Sequence, residues 1–307
     1  MLHVQLFGRF GARLGSRAVR VREGSKAQEL LVYLLLHRER PHARESVACL
    51  LWDECSAEQS RSYLRKTLWQ IHTTLCPREG CGCPLLRVDP RWVQVDPEAE
   101  LSLDVAAFEG AHERTRGVPG RALDAPAARA LADAVALYGG GLMLDCYEEW
   151  CLVARERLRH LQLVMLDKLM DYGEAHGDCE QALLYGMEIL AHDTAREHTH
   201  RQMMRLHQLH GDRTGALRQY RACVEVLDAE LGVGPMPETV ALFEQIRGDA
   251  APAPLPPSPV PDAAPPPGDA LHTILASLGA LHTGLAEVRR QTESIAVALH
   301  AGDASRA

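Results

Sequence analysis

The chain has 307 residues, which is enough for two domains of about 100 to 200 residues each, and its formal net charge is −8. The charge is divided unevenly, since residues 1–103 carry a net charge of +3 and residues 104–307 carry −11. Apolar runs near the termini fall short of the ~18 residues that cross a membrane, and the sequence opens without a charged region and an apolar signal core, so we expect a cytoplasmic protein.

Two strands and two helices are predicted before residue 53. Residues 2–6 and 19–21 alternate between apolar and polar side chains as half-buried strands do, with glycines marking the turns between them. Residues 26–38 (KAQELLVYLLLHR) are rich in helix formers and apolar nearly all round, which predicts a buried helix. Residues 44–52 predict a second, shorter helix that a tight connection joins to a third.

The third predicted helix, residues 56–75, is basic and amphipathic. Ser56 followed by Gln59 is a capping box, which marks its start. Apolar side chains recur at the helical period and define one face: Leu64, Leu68, Ile71 and Leu75. Cations and a hydroxyl flank or oppose that face: Arg61, Ser62, Arg65 and Lys66. Such a helix can present its cations to a DNA major groove, although an ordinary surface helix with a solvated basic side has the same pattern.

Two strand-like runs follow this helix. Residues 85–88 and 92–95 alternate as strands, and Asp89, Pro90 and Arg91 between them are typical turn residues. A hairpin placed directly after a helix-turn-helix pair is the wing of a winged-helix domain.

These elements carry residues that resemble the antibiotic regulatory protein (SARP) family of transcriptional activators, whose N-terminal domain is an OmpR-type winged helix. In the first part of the chain the resemblance rests on Leu6-Phe7-Gly8, residues 26–31 (KAQELL), Arg44-Glu45, Leu51-Trp52, Leu64-Arg65, Leu68-Trp69, and Asp104-Val105 with Phe108. Later residues resemble the bacterial transcriptional activation domain: 138–142 (YGGGL), Trp150, 155–158 (RERL), 201–204 (RQMM), Gly211-Asp212, Ala216-Leu217, Tyr220, 230–233 (ELGV) and 237–239 (PET). The resemblance covers roughly residues 1–247.

An internal repeat marks the body of the chain, which is helical by pattern. Gly177-Asp178 and Ala182-Leu183 recur 34 residues later as Gly211-Asp212 and Ala216-Leu217, and this spacing is the tetratricopeptide period. Two hairpins that are similar by coincidence are the alternative. Pattern and resemblance together predict a mainly α chain, with an OmpR-type winged helix (small β-sheet, three helices, wing hairpin) at residues 1–98 and an all-α tetratricopeptide-like activation domain at residues 104–247.

The resemblance implies a sequence-specific DNA-binding activator that binds direct repeats upstream of specialised-metabolite genes and helps RNA polymerase with its sigma factor. In that role Arg61, Arg65 and Lys66, with Ser62 beside them, would contact bases or phosphates, and Arg91 at the wing tip would reach the minor groove or the DNA backbone. We expect a cytoplasmic, nucleoid-associated protein that binds double-stranded DNA as a homo-oligomer and does not contact a membrane.

No enzymatic activity and no cofactor are predicted. The glycines at 139–141 and at 232 and 234 lack both the strand-loop-helix order and the Lys-Ser/Thr of a phosphate loop. The alternative function is a tetratricopeptide interaction adaptor whose winged domain binds protein more than DNA. Such an adaptor would show no duplex binding above a non-specific background.

Three cysteines, Cys76, Cys81 and Cys83, cluster between the third helix and the wing. They could bind Zn or an iron–sulfur centre, with His72 as a conceivable fourth ligand. Their spacing matches no standard metal pattern, which favours an unliganded or redox-sensitive loop. Other cysteines sit on apolar helix patterns and are predicted to be reduced core residues: Cys49, Cys151 and Cys223.

The end of the chain goes beyond the family pattern. Nine of the residues 249–268 are proline, so residues 248–268 are predicted to be an extended linker. In residues 269–301 apolar side chains occupy eight of nine heptad positions, which predicts an amphipathic helix that pairs with a second copy or docks on a partner. A helix that folds back on the body is the alternative, and Gly279 and Gly284 each cost helix stability roughly 1 kcal/mol.

Overall fold

A four-stranded sheet opens the chain in the computed structural model, which describes residues 1–75 and 85–248. The strand β1 (Leu2–Gln5) pairs antiparallel with β2 (Gly11–Leu14), and β2 pairs with the short β3 (Arg17–Ala18). On its other side β1 pairs in parallel with β7 (Leu101–Leu103), a strand from almost a hundred residues later. The prediction of a strand at residues 19–21 is wrong. The turn after β2 is short, so that residues 17 and 18, and not residues 19–21, pair with β2.

Three helices follow, close to their predicted positions. The helix α1 (Lys26–Leu36) is buried on nearly every side, as its all-round apolar sequence predicts. The helices α2 (Arg44–Leu51) and α3 (Ala57–Leu75) form the helix-turn-helix pair. At the start of α3 the backbone N–H of Gln59 donates to Ser56 Oγ (3.4 Å), and the N–H of Ser56 donates to Gln59 Oε1 (3.3 Å). The capping box is therefore confirmed.

The wing is a second sheet, with strand order β4-β6-β5. Its hairpin consists of β5 (Leu86–Val88) and β6 (Trp92–Val95), as predicted. The two-residue strand β4 (His42–Ala43), which the sequence pattern does not reveal, pairs with β6. The next residue continues this contact, since the N–H of Arg44 donates to the carbonyl of Arg91 (2.9 Å). The start of α2 is thereby fixed to the wing.

Helices are the regular elements of the body in the described residues beyond 103, where Leu142 adds an isolated β-bridge to Phe7. Its elements are α4 (Asp104–Arg114), a short 3₁₀ helix (Gly120–Ala122), α5 (Ala125–Leu137), α6 (Glu149–His176), α7 (Cys179–His192), α8 (Glu197–Leu209), α9 (Arg213–Leu231) and α10 (Pro237–Gly248). The fold class is confirmed: an N-terminal winged helix is followed by an all-α, tetratricopeptide-like body.

The two repeated Gly-Asp pairs lie at equivalent turns of this body. Gly177 and Gly211 end α6 and α8 with positive φ angles of 76° and 80°, a conformation that glycine adopts without strain. Asp178 and Asp212 then begin α7 and α9, and each side chain accepts a hydrogen bond from the backbone N–H three residues on. The α6–α7 and α8–α9 hairpins therefore use the same chemistry to turn, which is what the 34-residue period predicts.

Gly173 of α6 marks the closest approach inside the first hairpin. A Cβ added there would lie 2.8 Å from Ala182 Cβ and 2.9 Å from the carbonyl oxygen of Asp178. We expect Gly173→Ala to lower the free energy of unfolding by about 1–3 kcal/mol, since overpacking outweighs the gain in helix propensity. Gly110→Ala, inside α4, is the matched control, because its Cβ would meet only Arg114 Nη1 at 3.3 Å. Urea denaturation measures both; equal changes would contradict the packing argument.

The winged helix and the body share one hydrophobic core, and the backbone around residues 6–8 joins them. Asp104 Oδ2, in the first turn of α4, accepts hydrogen bonds from the N–H groups of Leu6 (2.8 Å) and Phe7 (2.9 Å). The N–H of Gly8 donates to the carbonyl of Gly141 (2.7 Å), which belongs to the segment after α5. The domain boundary between residues 98 and 104 stays a prediction, and the packing is continuous across it.

Cysteine burial agrees with the sequence at two of three positions. Cys151 and Cys223 are fully buried, as predicted. Cys49 is exposed, and that prediction is wrong because α2 turns Val47 and Ala48 inward instead.

Within residues 1–75 and 85–248 no helix is long and apolar enough to cross a membrane. The cluster of Cys76, Cys81 and Cys83, the proline-rich linker and the heptad helix lie outside the described residues.

Candidate nucleic-acid interface

The helix α3 is held firmly by its apolar face. Its four predicted core residues are each at most 6% exposed: Leu64, Leu68, Ile71 and Leu75. Near its start the hydroxyl of Ser60 donates to the carbonyl of Trp52 (3.0 Å), which fixes α3 against the end of α2. Because this face is buried and anchored, the opposite face is presented to solvent in a fixed orientation.

Two cations on that outward face are available to a ligand. The side chains of Arg65 and Lys66 are exposed, and neither makes a hydrogen bond or ion pair with any other described residue. Ser62 lies one turn before them and is half-buried, while Trp69 lies one turn after them and is 70% exposed. The helix therefore offers cationic, hydroxyl and indole groups along one line.

Arg61 differs from its neighbours because the protein already engages it. Its Nε donates to the carbonyl of Ala57 (3.1 Å), and its Nη1 contacts Glu45 Oε1 of α2 at 3.3 Å. Both charged side chains of this pair are more than half exposed, so the pair is weak and easily exchanged for a phosphate. Glu45 nevertheless places a negative charge beside the cations of α3.

We expect Glu45→Gln to raise affinity for duplex DNA by about threefold at low salt, since it removes a charge that repels phosphate and releases Arg61. Glu225→Gln on the exposed side of α9 is the control, because it changes the net charge equally and far along the chain. Fluorescence anisotropy with a labelled duplex measures both variants. Unchanged affinity for Glu45→Gln, or an equal gain in the control, would exclude Glu45 from the interface.

The wing faces α3 across a groove of about 550 Å³. Arg91 stands exposed at the wing tip, and its side chain has no hydrogen-bond or ion-pair partner among the described residues. The turn that carries it is rigid, since Asp89 Oδ1 accepts hydrogen bonds from the N–H groups of Arg91 and Trp92, both at 2.7 Å. These two bonds hold the pKa of Asp89 below its ordinary value, so the carboxylate stays ionised.

This groove is also lined by three residues that the sequence pattern does not identify as DNA-binding: Arg44, Glu45 and Trp92. The guanidinium of Arg44 donates to the carbonyl of Asp89 (2.9 Å), which ties the first turn of α2 to the wing turn. Trp92 is 45% exposed, and an exposed tryptophan on a wing strand is the signal that could have identified it. Nothing local in the sequence reveals the contacts of Arg44, because its partner lies 45 residues away.

The chemistry of this groove suits a polyanion. Its rim carries four cations, Arg44, Arg61, Arg65 and Arg91, against one carboxylate, Glu45. An α-helix fits the major groove of B-DNA, and arginine and lysine can contact either guanine edges or phosphates there. A wing beside such a helix lies where the adjacent DNA backbone passes. The arrangement therefore matches a helix-plus-wing DNA reader.

Comparisons with known proteins agree with this architecture. A family profile described as the bacterial transcriptional activator domain matches residues 103–247. The chain is similar in structure to Mycobacterium tuberculosis EmbR in complex with a low affinity phosphopeptide, with a TM-score of 0.63 and 19% sequence identity. This similarity covers 80% of the present chain and 65% of the EmbR chain, so the present chain spans about two thirds of that protein's length. At this identity the likeness shows the fold. No curated protein matches the chain.

Proposed function

We propose that the chain is a transcriptional activator of the antibiotic regulatory protein (SARP) type, which binds direct DNA repeats near promoters of specialised-metabolite genes. From there it assists RNA polymerase with its sigma factor, as a regulator acting in the cytoplasm on the nucleoid. The match of residues 103–247 to the bacterial transcriptional activator domain supports this proposal. The observation that carries this proposal is the pair of unpartnered cations, Arg65 and Lys66, on a helix whose other face is locked into the core.

In this proposal α3 enters the major groove with its outward face against the bases. Arg65 and Lys66 contact base edges or phosphates, Ser62 donates to a neighbouring phosphate or base, and Arg61 exchanges Glu45 for DNA. Arg91 reaches the adjacent minor groove or backbone from the wing. The β4 contact and the Arg44 hydrogen bond join the wing to the start of α2, and α2 packs against α3, so helix and wing bind as one unit.

The helical body supplies the contacts to protein partners. Its hairpins leave large apolar side chains uncovered, among them Leu184, Met187 and Leu209, which are between 48% and 62% exposed. Stacked helical hairpins bind other proteins through such surfaces. On direct repeats, neighbouring protomers or the polymerase would occupy them, and pairing through the C-terminal heptad helix would raise the effective concentration of a second winged helix.

Capture of genomic fragments tests this function. Full-length protein is mixed with fragmented genomic DNA, and the bound fragments are sequenced and placed before a reporter in transcription assays with polymerase holoenzyme. We expect enrichment of a short direct repeat and more transcript when the protein is added. Enrichment without more transcript would refute activation at these sites. Capture of no sequence above background, with partner proteins still bound, would favour the tetratricopeptide adaptor instead.

A further inference from the structure

Two cysteines lie side by side where the body begins its longest helix. Cys146 precedes α6, and Cys151 lies in its first turn, with the N-cap residue Glu148 between them. The two thiols are in hydrogen-bond contact, and neither forms a disulfide. Cys151 is completely buried and Cys146 is 9% exposed. The backbone thus folds back at the helix start and brings together two sulfur atoms five residues apart.

Cys146 is the member of the pair that small molecules can reach. It lines a cavity of about 360 Å³ that opens to solvent between the segment before α6 and helix α1, together with Met143, Tyr147 and Trp150. This volume exceeds that of a peroxide many times over. Cys151 has no exposed surface of its own, so a reagent meets Cys146 first.

The two thiols differ in their hydrogen bonds and in their pKa. The Cys151 thiol and the backbone N–H of Glu148 both donate hydrogen bonds to Cys146, and they lower the pKa of Cys146 below its ordinary value although burial acts in the opposite direction. The same hydrogen bond and burial raise the pKa of Cys151. Cys146 lines the cavity and is the more acidic of the two thiols, whereas Cys151 is completely buried, so Cys146 is suited to be the attacking cysteine and Cys151 the resolving one.

We propose that Cys146 and Cys151 form a reversible disulfide when the protein meets a peroxide. The Cys146 thiolate attacks one peroxide oxygen, so that an S–O bond forms, the O–O bond breaks and hydroxide leaves. The Cys151 sulfur then attacks the sulfenic sulfur of Cys146, the S–S bond forms, and the hydroxyl group leaves with the proton of Cys151 as water. Both sulfurs are oxidised and the peroxide is reduced.

The disulfide would act on the junction between winged helix and body. The segment before α6 carries that junction, since the N–H of Met143 donates to the carbonyl of Leu6 (2.9 Å) and the N–H of Cys146 donates to the carbonyl of Met143 (3.0 Å). Arg155 of α6 donates from its Nη2 to the carbonyl of Cys146 (2.9 Å). A covalent bond from Cys146 to Cys151 adds to these contacts and fixes the segment to α6.

Peptide mapping tests the proposal without reference to DNA, so its outcome is independent of the proposed function. Reduced full-length protein is treated with less than one equivalent of hydrogen peroxide, alkylated and digested. Trypsin leaves both cysteines in residues 130–155, and this peptide should escape alkylation and lose two hydrogens. Cleavage after Glu148 and Glu149 should give two peptides that separate only after reduction with dithiothreitol. Cys223, a completely buried thiol with its pKa raised to about 11, should stay reduced.

Two variants separate the steps. In Cys151→Ser the oxidation should stop at the sulfenic acid of Cys146, which dimedone traps, whereas in Cys146→Ser the Cys151 thiol should remain reduced. Near-ultraviolet circular dichroism confirms that each variant is folded. The proposal is overturned if wild-type Cys146 proceeds to sulfinic acid without a linked peptide. It is also overturned if Cys223 oxidises as fast as Cys146, or if neither Cys146 nor Cys151 reacts.

Discussion

Replacing Arg65 and Lys66 together by alanine is expected to lower the affinity of the full-length protein for its operator duplex by about a hundredfold. Each base or phosphate contact contributes on the order of 1 to 3 kcal/mol, and the two side chains are well placed to make one contact each. The fold should be unaffected, since both side chains are exposed and make no hydrogen bond or ion pair with any other described residue. Fluorescence anisotropy gives the affinity, and far-ultraviolet circular dichroism confirms the helix content.

The matched control removes the same charge from the body. Arg121 and Arg129 are exposed on or beside α5, and their double alanine variant should bind the operator with nearly wild-type affinity. If both double variants lose affinity equally, the effect is one of net charge and not of contact. Wild-type affinity after loss of Arg65 and Lys66 would remove α3 from the interface.

Asp104→Ala is expected to give a large loss of stability, about 2–5 kcal/mol in the free energy of unfolding. Leu6 and Phe7, whose N–H groups bond to the carboxylate, are at most 1% exposed, so water cannot replace the lost acceptor. An unsatisfied buried N–H costs about 1–3 kcal/mol, and this substitution leaves two. Because the bonds join the segment directly after β1 to α4, the loss also loosens the winged helix on the body.

Asp124→Ala serves as the comparison for this prediction. Asp124 caps α5 at an exposed position, where its Oδ1 accepts one hydrogen bond from the N–H of Ala127 (2.8 Å). Loss of such a cap costs about 1 kcal/mol. Urea denaturation with tryptophan fluorescence measures both variants. Equal losses would show that water or a rearranged backbone satisfies the N–H groups of Leu6 and Phe7, and the account of the junction would then be wrong.

The elements that were predictable from sequence are those that are stabilised by interactions between residues close together in the chain. The capping box at Ser56 and the leucine spacing of α3 lie within one helix, and the wing turn at Asp89 lies within one hairpin. The strands β4 and β7 were missed because each is only two or three residues long and is defined by a distant partner. Short runs of this kind have no periodicity to detect.

The same distinction applies to the candidate interface. Helical periodicity places Arg65 and Lys66 on the outward face, and the structure agrees on their exposure. Helical periodicity could not show that Arg61 pairs with Glu45, because Glu45 lies on a different helix. The sequence pattern also could not show that the ring of Phe7 packs against those of Phe108 and Tyr138, with centroids 5.2 and 5.1 Å away, so that the winged helix and the body share a core. Packing between distant segments is set by tertiary structure.

Competition between two duplexes tests whether α3 and the wing read a specific DNA sequence. The affinity of the full-length protein is measured for the captured repeat and for a scrambled duplex of equal length and composition, across a range of salt concentrations. We expect at least about a thousandfold preference for the repeat, with affinity for both duplexes falling steeply as salt rises. Equal affinity for the two duplexes at every salt concentration would show that α3 and the wing read no specific sequence.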